Sequence, residues 1–264
     1  MKYQGVLTKM VTENTDEVQY YLNTESHVLN VNQLLNRTIS INFEGYQCLC
    51  CRKEKKIHRQ GYCYDCFYKQ ASVGDWVMKP ELSKAHLGVE DRDLEYEQKA
   101  QLQPHIVYLA LSSNVKVGVT RKTQVPTRWI DQGANKAIPF VEVPNRYLAG
   151  VTEVILKNYV SDKTSWQKML KNDVVDEDLI KVKEALKQYL PNETKEYYVE
   201  DNTVLKLNFP VDVYPTKVSS LNLEKENSYE GVLKGIKGQY LIFEDGKVFN
   251  IRSNEGYKIS LNIS

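Results

Sequence analysis

The chain has 264 residues, 42% hydrophobic and 26% charged, which is too long for a metal-stapled mini-domain and too apolar for a disordered chain. Its formal net charge of +1 excludes a global attraction to nucleic acid, so any basic surface must be local. The longest apolar run, IVYLAL, has six residues where a membrane helix needs roughly 20, and the start MKYQGVLTKM lacks the apolar segment of a signal peptide.

Residues 1–47 read as a β-rich region. GVLTKMV, VQYYLN and TISINFEGY are rich in Val, Ile, Thr, Tyr and Phe, with turn residues between them. Residues 48–80 follow as a cysteine segment, and 81–103 as a charged connector, irregular or with a short helix. Residues 104–195 form a central α/β region. It opens on Pro104 and HIVYLALSSNVKVGVT, two apolar runs around Ser-Ser-Asn that signal a β-hairpin. Helical patterning is expected after Pro126 in TRWIDQGANKA, again in LAGVTEVILKNYV, and a third time from Asp176 to Leu190, ended by Pro191. Asp162 or Thr164 is expected to cap a further helical turn, with Trp166 packing into the core. Residues 196–264 return to strands, with Lys-Gly and Asp-Gly dipeptides suited to tight hairpins. The two ends echo each other in YQGVLTKM and YEGVLKGI, which suggests that the terminal strand regions pack together. The expected class is α+β, with β regions flanking the centre.

All five cysteines lie between positions 48 and 66. A disulfide-stapled secreted chain spreads its cysteines, so clustering without an export signal points to metal and to the cytoplasm. Cys48-x2-Cys51 and Cys63-x2-Cys66 are two knuckles separated by eleven residues, the spacing with which four thiolates hold one structural Zn2+ tetrahedrally. Cys50 is a fifth thiol, either spare or a substitute for Cys48 or Cys51, and His58 lies mid-loop. A closed four-thiolate site has no open position, so this zinc is assigned no catalysis.

Between the knuckles lie Arg52, Lys53, Lys55, Lys56 and Arg59 against one acid, Glu54, and Tyr62, Tyr64, Phe67 and Tyr68 follow. Cations beside aromatics suit phosphate contact and base stacking on DNA or RNA. The alternative is a solvated ribbon tip whose tyrosines cover a small core.

The order of residues in IVYLALSSNVKVGVTRKTQVPTRWIDQG resembles the GIY-YIG nuclease domain, with Ile106-Val107-Tyr108 at the first motif and Lys116-Val117-Gly118 at the second. The resemblance implies a phosphodiester-cleaving site. Tyr108 would be nucleophile or base, Arg128 the phosphate clamp with Arg121 competing for that role, and Glu153 the ligand of Mg2+ or Mn2+. Lys116 replaces the second tyrosine, which can neutralise phosphate but is no direct substitute as proton acceptor. That departure favours a rival reading: a non-catalytic RNA- or ribosome-associated protein that keeps the nuclease-like fold. A protein-interaction scaffold is the third. The phrases QGYCYDCF, KVGVTRKTQVPTRWIDQGA and SDKTSWQKML are similar to those of an uncharacterised bacterial family, a domain of unknown function. Some of its members hold further cysteines beyond the ribbon. Val73, Trp76, Ser83 and Glu90 stand in that region here, so no second metal site is expected. Regional charge points the same way as the loop, with six Lys or Arg against two acids between 101 and 150.

Overall fold

The computed structural model describes residues 2–23, 27–160 and 165–264. The chain is α+β, and it divides into two units: Met1–Tyr68 with Ile130–Gly133 and Asn208–Ser264, and Lys69–Trp129 with Ala134–Leu207.

The first unit is built on pairing between the two ends of the chain. Its largest sheet has seven strands, in the order Lys2–Val6, Tyr257–Ile263, Thr38–Tyr46, Ser228–Lys237, Tyr240–Phe243, Lys247–Asn250 and Ser219–Ser220. The β-branched run TISINFEGY forms the Thr38–Tyr46 strand, which pairs with Tyr257–Ile263 on one side and Ser228–Lys237 on the other. The segments echoed between the ends therefore share one sheet. Lys237-Gly238 and Asp245-Gly246 turn the two hairpins that follow, with both glycines at positive φ. A three-stranded sheet, Val11–Glu13, Gln19–Asn23 and Val28–Asn30, and a two-stranded ribbon, Ile57–Arg59 with Tyr62–Cys63, complete the sheets of this unit.

The second unit holds an antiparallel sheet in the order Leu205–Lys206, Lys136–Val143, His105–Leu111 and Val115–Arg121. The His105–Leu111 and Val115–Arg121 strands form the hairpin around Ser-Ser-Asn, with His105 opposite Arg121 and Tyr108 opposite Gly118. Side chains alternate between the faces of a strand, and opposed residues share a face. Val107, Leu109, Leu111, Val115 and Val117 thus lie on one face, in a common core with Ala149 and Leu156 of the Arg146–Leu156 helix and Leu179 and Leu186 of Leu179–Lys187. Asn145 caps the first of these helices by accepting from Leu148 N–H at 3.0 Å, and Asp178 caps the second.

Helical structure after Pro126 is shorter than the sequence suggests. The Thr127–Asp131 helix stops before Gly133, which adopts φ +64, and the chain re-enters the sheet at Lys136. The connector 81–103 carries a true helix, Leu94–Gln101, started by Asp93. Buried Glu97 ties the loop before it by accepting from the N–H groups of Asp91, Arg92 and Asp93 at 2.7–3.0 Å. Ser165 caps the Trp166–Leu170 helix and Trp166 is half-buried, while Asp162, Lys163 and Thr164 lie outside the described residues.

Gly150 lets the Arg146–Leu156 helix lie directly on the turn Pro80–Leu82. A Cβ at position 150 would overlap the Glu81 nitrogen and the Pro80 carbonyl carbon, and would sit 2.7 Å from Glu81 Cα. Those are backbone atoms that cannot rotate away. Gly150→Ala is expected to destabilise the chain by about 3 kcal/mol, despite alanine's better helix propensity, because forced overpacking outweighs the ~1 kcal/mol propensity gain. Urea denaturation checks it, and an unchanged midpoint would show that the turn moves freely.

Candidate metal centre and motif residues

The Sγ atoms of Cys48, Cys51, Cys63 and Cys66 all lie within 4.8 Å of one another. Four thiolates at about 2.3 Å from a tetrahedral ion stand about 3.8 Å apart, so the donor set and its spacing fit one metal ion such as zinc. Cys51 Sγ and Cys63 Sγ are already 4.0 Å apart. Cys50 is not one of the four and is exposed at the knuckle turn.

The backbone prepares the site. Cys48 N–H donates to Lys53 O at 3.0 Å, Arg52 N–H to Cys48 O at 2.9 Å, and Leu49 N–H to Gly61 O at 2.9 Å, so the two knuckles are held face to face. Cys63 N–H donates to Cys48 Sγ at 3.3 Å. Burial opposes ionisation of Cys48, yet the N–H groups of Cys63, Cys51 and Cys50 outweigh it and bring its pKa to about 6. Cys66 is displaced upward by desolvation and by its neighbouring thiols. A metal ion held by these four cysteines would take all four as thiolates.

The ribbon exposes what lies between its knuckles. Arg52, Lys53, Lys55, Lys56 and Arg59 are exposed. Lys55 pairs with Asp65 at 2.7 Å, and Glu54, the loop's one acid, is engaged by Lys258 at 2.6 Å. Among the described residues the other four cations have no ion pair. Beside them His58, Tyr64, Phe67 and Tyr68 form one aromatic cluster with ring centroids 4.9–5.9 Å apart, and Tyr64 and Tyr68 are 62% and 54% exposed. Tyr62 is half-buried.

The motif residues of the second unit divide between the two faces of its sheet. Tyr108 and Lys116 lie on the face opposite the helical core, and both are buried. Tyr108 packs its phenol over Gly118, where a Cβ would meet its Oη and Cζ at 2.7 Å, and its ring lies 5.8 Å from that of Trp129. Glu153 belongs to the helix that covers the other face. Its carboxylate is 3.5 Å from Lys157 Nζ, and burial raises its pKa against the pull of Lys157 and Arg146. Glu153 is therefore an ion-pair partner of Lys157 within electrostatic reach of Arg146, on the other side of the sheet from Tyr108.

Arg121 and Arg128 act electrostatically on Arg146, a residue that sequence reading passed over. Arg146 donates from Nε to Trp76 O at 2.9 Å and from Nη2 to Val77 O at 2.7 Å, with its guanidinium 5.4 Å from the Trp76 ring centroid. Burial lowers its pKa to about 10. Arg121 and Arg128 push the same way, and Glu153 and Glu81 oppose them. His105, fully buried opposite Arg121, donates from Nδ1 to Gln103 O at 2.7 Å. Asparagine-arginine at a helix start was the only available signal for Arg146, and nothing in HIVY marks His105.

Comparison with protein families matches the one described as "Protein of unknown function (DUF2797)" over residues 36–259. The chain belongs to this family. Comparisons with curated proteins and with solved structures return no match. Membership in DUF2797 spans the four-cysteine ribbon, the hairpin and the helices around Arg146 in one unit of descent. Among the described residues no helix is long and apolar enough to cross a membrane.

Proposed function

We propose that the chain is a zinc protein that binds single-stranded nucleic acid through its cysteine ribbon, and that its central unit is a GIY-YIG-like fold that does not cleave phosphodiesters. The observation that carries this reading is the largely exposed His58–Tyr64–Phe67–Tyr68 cluster beside Arg52, Lys53, Lys56 and Arg59, four cations with no ion pair among the described residues. Cations track a phosphate backbone, and aromatic faces stack unpaired bases. The zinc is structural: it holds the two knuckles so that the loop between them keeps its form. Separation of Tyr108 from Glu153 by the sheet supports the non-catalytic half, because a nucleophile and a metal ligand must meet at one phosphate.

Fluorescence anisotropy with labelled single-stranded RNA and DNA tests the binding. Affinity should fall with salt, and Lys53→Ala/Lys56→Ala should reduce the slope of log K against log salt by about 1.4, the value for two lost contacts on a single strand. Tyr64→Ala should cost about 1–3 kcal/mol. Salt-independent binding, or none at low salt, would leave the ribbon as a protein-contact surface. Magnesium-dependent nicking that disappears in Glu153→Ala would restore the nuclease reading.

A further inference from the structure

The Lys2–Val6 strand is an edge of the seven-stranded sheet and pairs on one side alone, with Tyr257–Ile263. Leu7, just beyond it, donates its N–H to Tyr257 O and accepts from Gly256 N–H, both at 2.8 Å, so its backbone groups face the sheet. Along an antiparallel strand these groups point alternately to either side. Gly5 and Tyr3 therefore face the sheet too, and the N–H and C=O groups of Lys2, Gln4 and Val6 face outwards. Among the described residues none of these outward groups has a backbone hydrogen bond. Proteins blunt free edges with central charges, prolines or bulges. This strand, KYQGV, has its one charge at the first residue, no proline, and an unbroken register with its neighbour.

Tyr3 and Gly5 share a sheet face with the residues opposite them, Leu261 and Ile259. An apolar cleft of about 260 Å³ opens there, between this edge and Leu22 of the Gln19–Asn23 strand. Gly5 lines the cleft and brings no side chain to fill it. A second copy of the same strand supplies one. Turned about a two-fold axis at Gln4, the strand sets Tyr3 of each copy opposite Gly5 of the other, Gln4 opposite Gln4, and Lys2 opposite Val6. The outward-facing residues then form the hydrogen-bonded pairs, with about six backbone bonds across the axis. Tyr3 and Gly5 form the pairs between them, where opposed side chains come closest. The chain already uses this combination within its second unit, where Tyr108 packs over Gly118 on the neighbouring strand. In this register no charge faces a like charge.

We infer that the Lys2–Val6 edge is a self-association surface, on which two copies of the chain pair their edge strands antiparallel about Gln4 and join their sheets. The inference makes no use of the cysteine ribbon and stands without the nucleic-acid reading. Five residues a side make a small interface, which places the dimer at the weak end of specific association, with a Kd of about 10–100 µM.

Sedimentation equilibrium of the full chain, from about 5 to 300 µM so as to bracket that Kd, tests it. The native chain should pass from monomer to dimer. Gln4→Pro removes an outward N–H and leaves the bonds to Tyr257–Ile263 in place, so it should stay monomeric throughout. Two further variants serve if the proline variant does not fold. Val6→Glu sets an acid opposite the partner's Lys2 at both ends of the interface, and Lys2→Glu/Val6→Glu sets acid opposite acid. The first should dimerise at least about tenfold more tightly than the second, because the two-fold axis doubles each pair. Hydrogen exchange locates the contact: the amides of Gln4 and Val6 should slow as concentration rises, and that of Gly5, already bonded within the sheet, should not. A chain that stays monomeric overturns the inference and leaves the edge to a strand of another protein. A dimer that these substitutions leave unchanged overturns it in favour of another face.

Discussion

Stripping the metal with a strong chelator is expected to unfold the cysteine ribbon. The ribbon's own resources are small: a hairpin of Ile57–Arg59 with Tyr62–Cys63, and three further backbone hydrogen bonds at the knuckles. Isolated two-stranded hairpins are marginal in water. Its buried side chains include Cys48 and Cys63 themselves, so removing the ion leaves thiols facing one another in place of a core. Zinc contributes about 10–16 kcal/mol to folding in small finger peptides, far more than these hydrogen bonds supply. Amide hydrogen exchange should show protection of residues 48–66 lost on chelation and restored by one equivalent of Zn2+. Cys63→Ser should abolish binding of the single ion, because it removes a ligand and disturbs the N–H that donates to Cys48 Sγ. Cys50→Ser should keep a stoichiometry of one, since Cys50 stands outside the group. Loss of metal in Cys50→Ser would mean that the ligand set is wrong.

The four-cysteine group that could hold a metal ion was legible in the sequence because two knuckles are a local requirement, written in spacing. The same holds for the hairpin at Ser-Ser-Asn, while the two helix starts expected at Leu148 and Asp176 lie in fact at the caps Asn145 and Asp178. The Lys136–Val143 strand was not legible. Pro139 sits inside it, and proline argues against a central strand because it has no N–H to give the ladder. The chain accommodates Pro139 with a register shift before Val141, so the strand keeps its place between Leu205–Lys206 and His105–Leu111. Pairing of the chain's two ends leaves no local periodicity, only the echo between YQGVLTKM and YEGVLKGI.

The division of the motif residues between two faces was hidden for a related reason. Both faces of the His105–Leu111 strand are buried, so beyond His105 its sequence is a continuous apolar run with no alternation to say which face a helix covers. Tyr108 and Glu153 could be ordered along the chain from sequence, but not placed on the same or opposite sides.

Acid should weaken this fold through His105 before its carboxylates are fully protonated. The imidazole is fully buried, and its Nδ1 lies 2.7 Å from Gln103 O, which fixes the neutral tautomer with the proton on Nδ1. Burial foremost, and then the fields of Arg146 and Arg121, drive its pKa from 6.5 to about 4 against the pull of that carbonyl. Between those two values the unfolded chain takes up a proton that the folded chain refuses. Stability therefore rises with pH across the window: it is fully present above about pH 6.5 and is lost as pH falls towards about 4. A shift of this size corresponds to about 3 kcal/mol. His105→Gln, which does not titrate, isolates the effect from the carboxylates. Denaturant unfolding at pH 7.5 and pH 4 should show the native chain losing about 3 kcal/mol more than the variant. A difference between the two that stays constant across this range would mean that His105 is protonated in the folded chain. The neutral imidazole argued from its Nδ1 contact would then have to be abandoned.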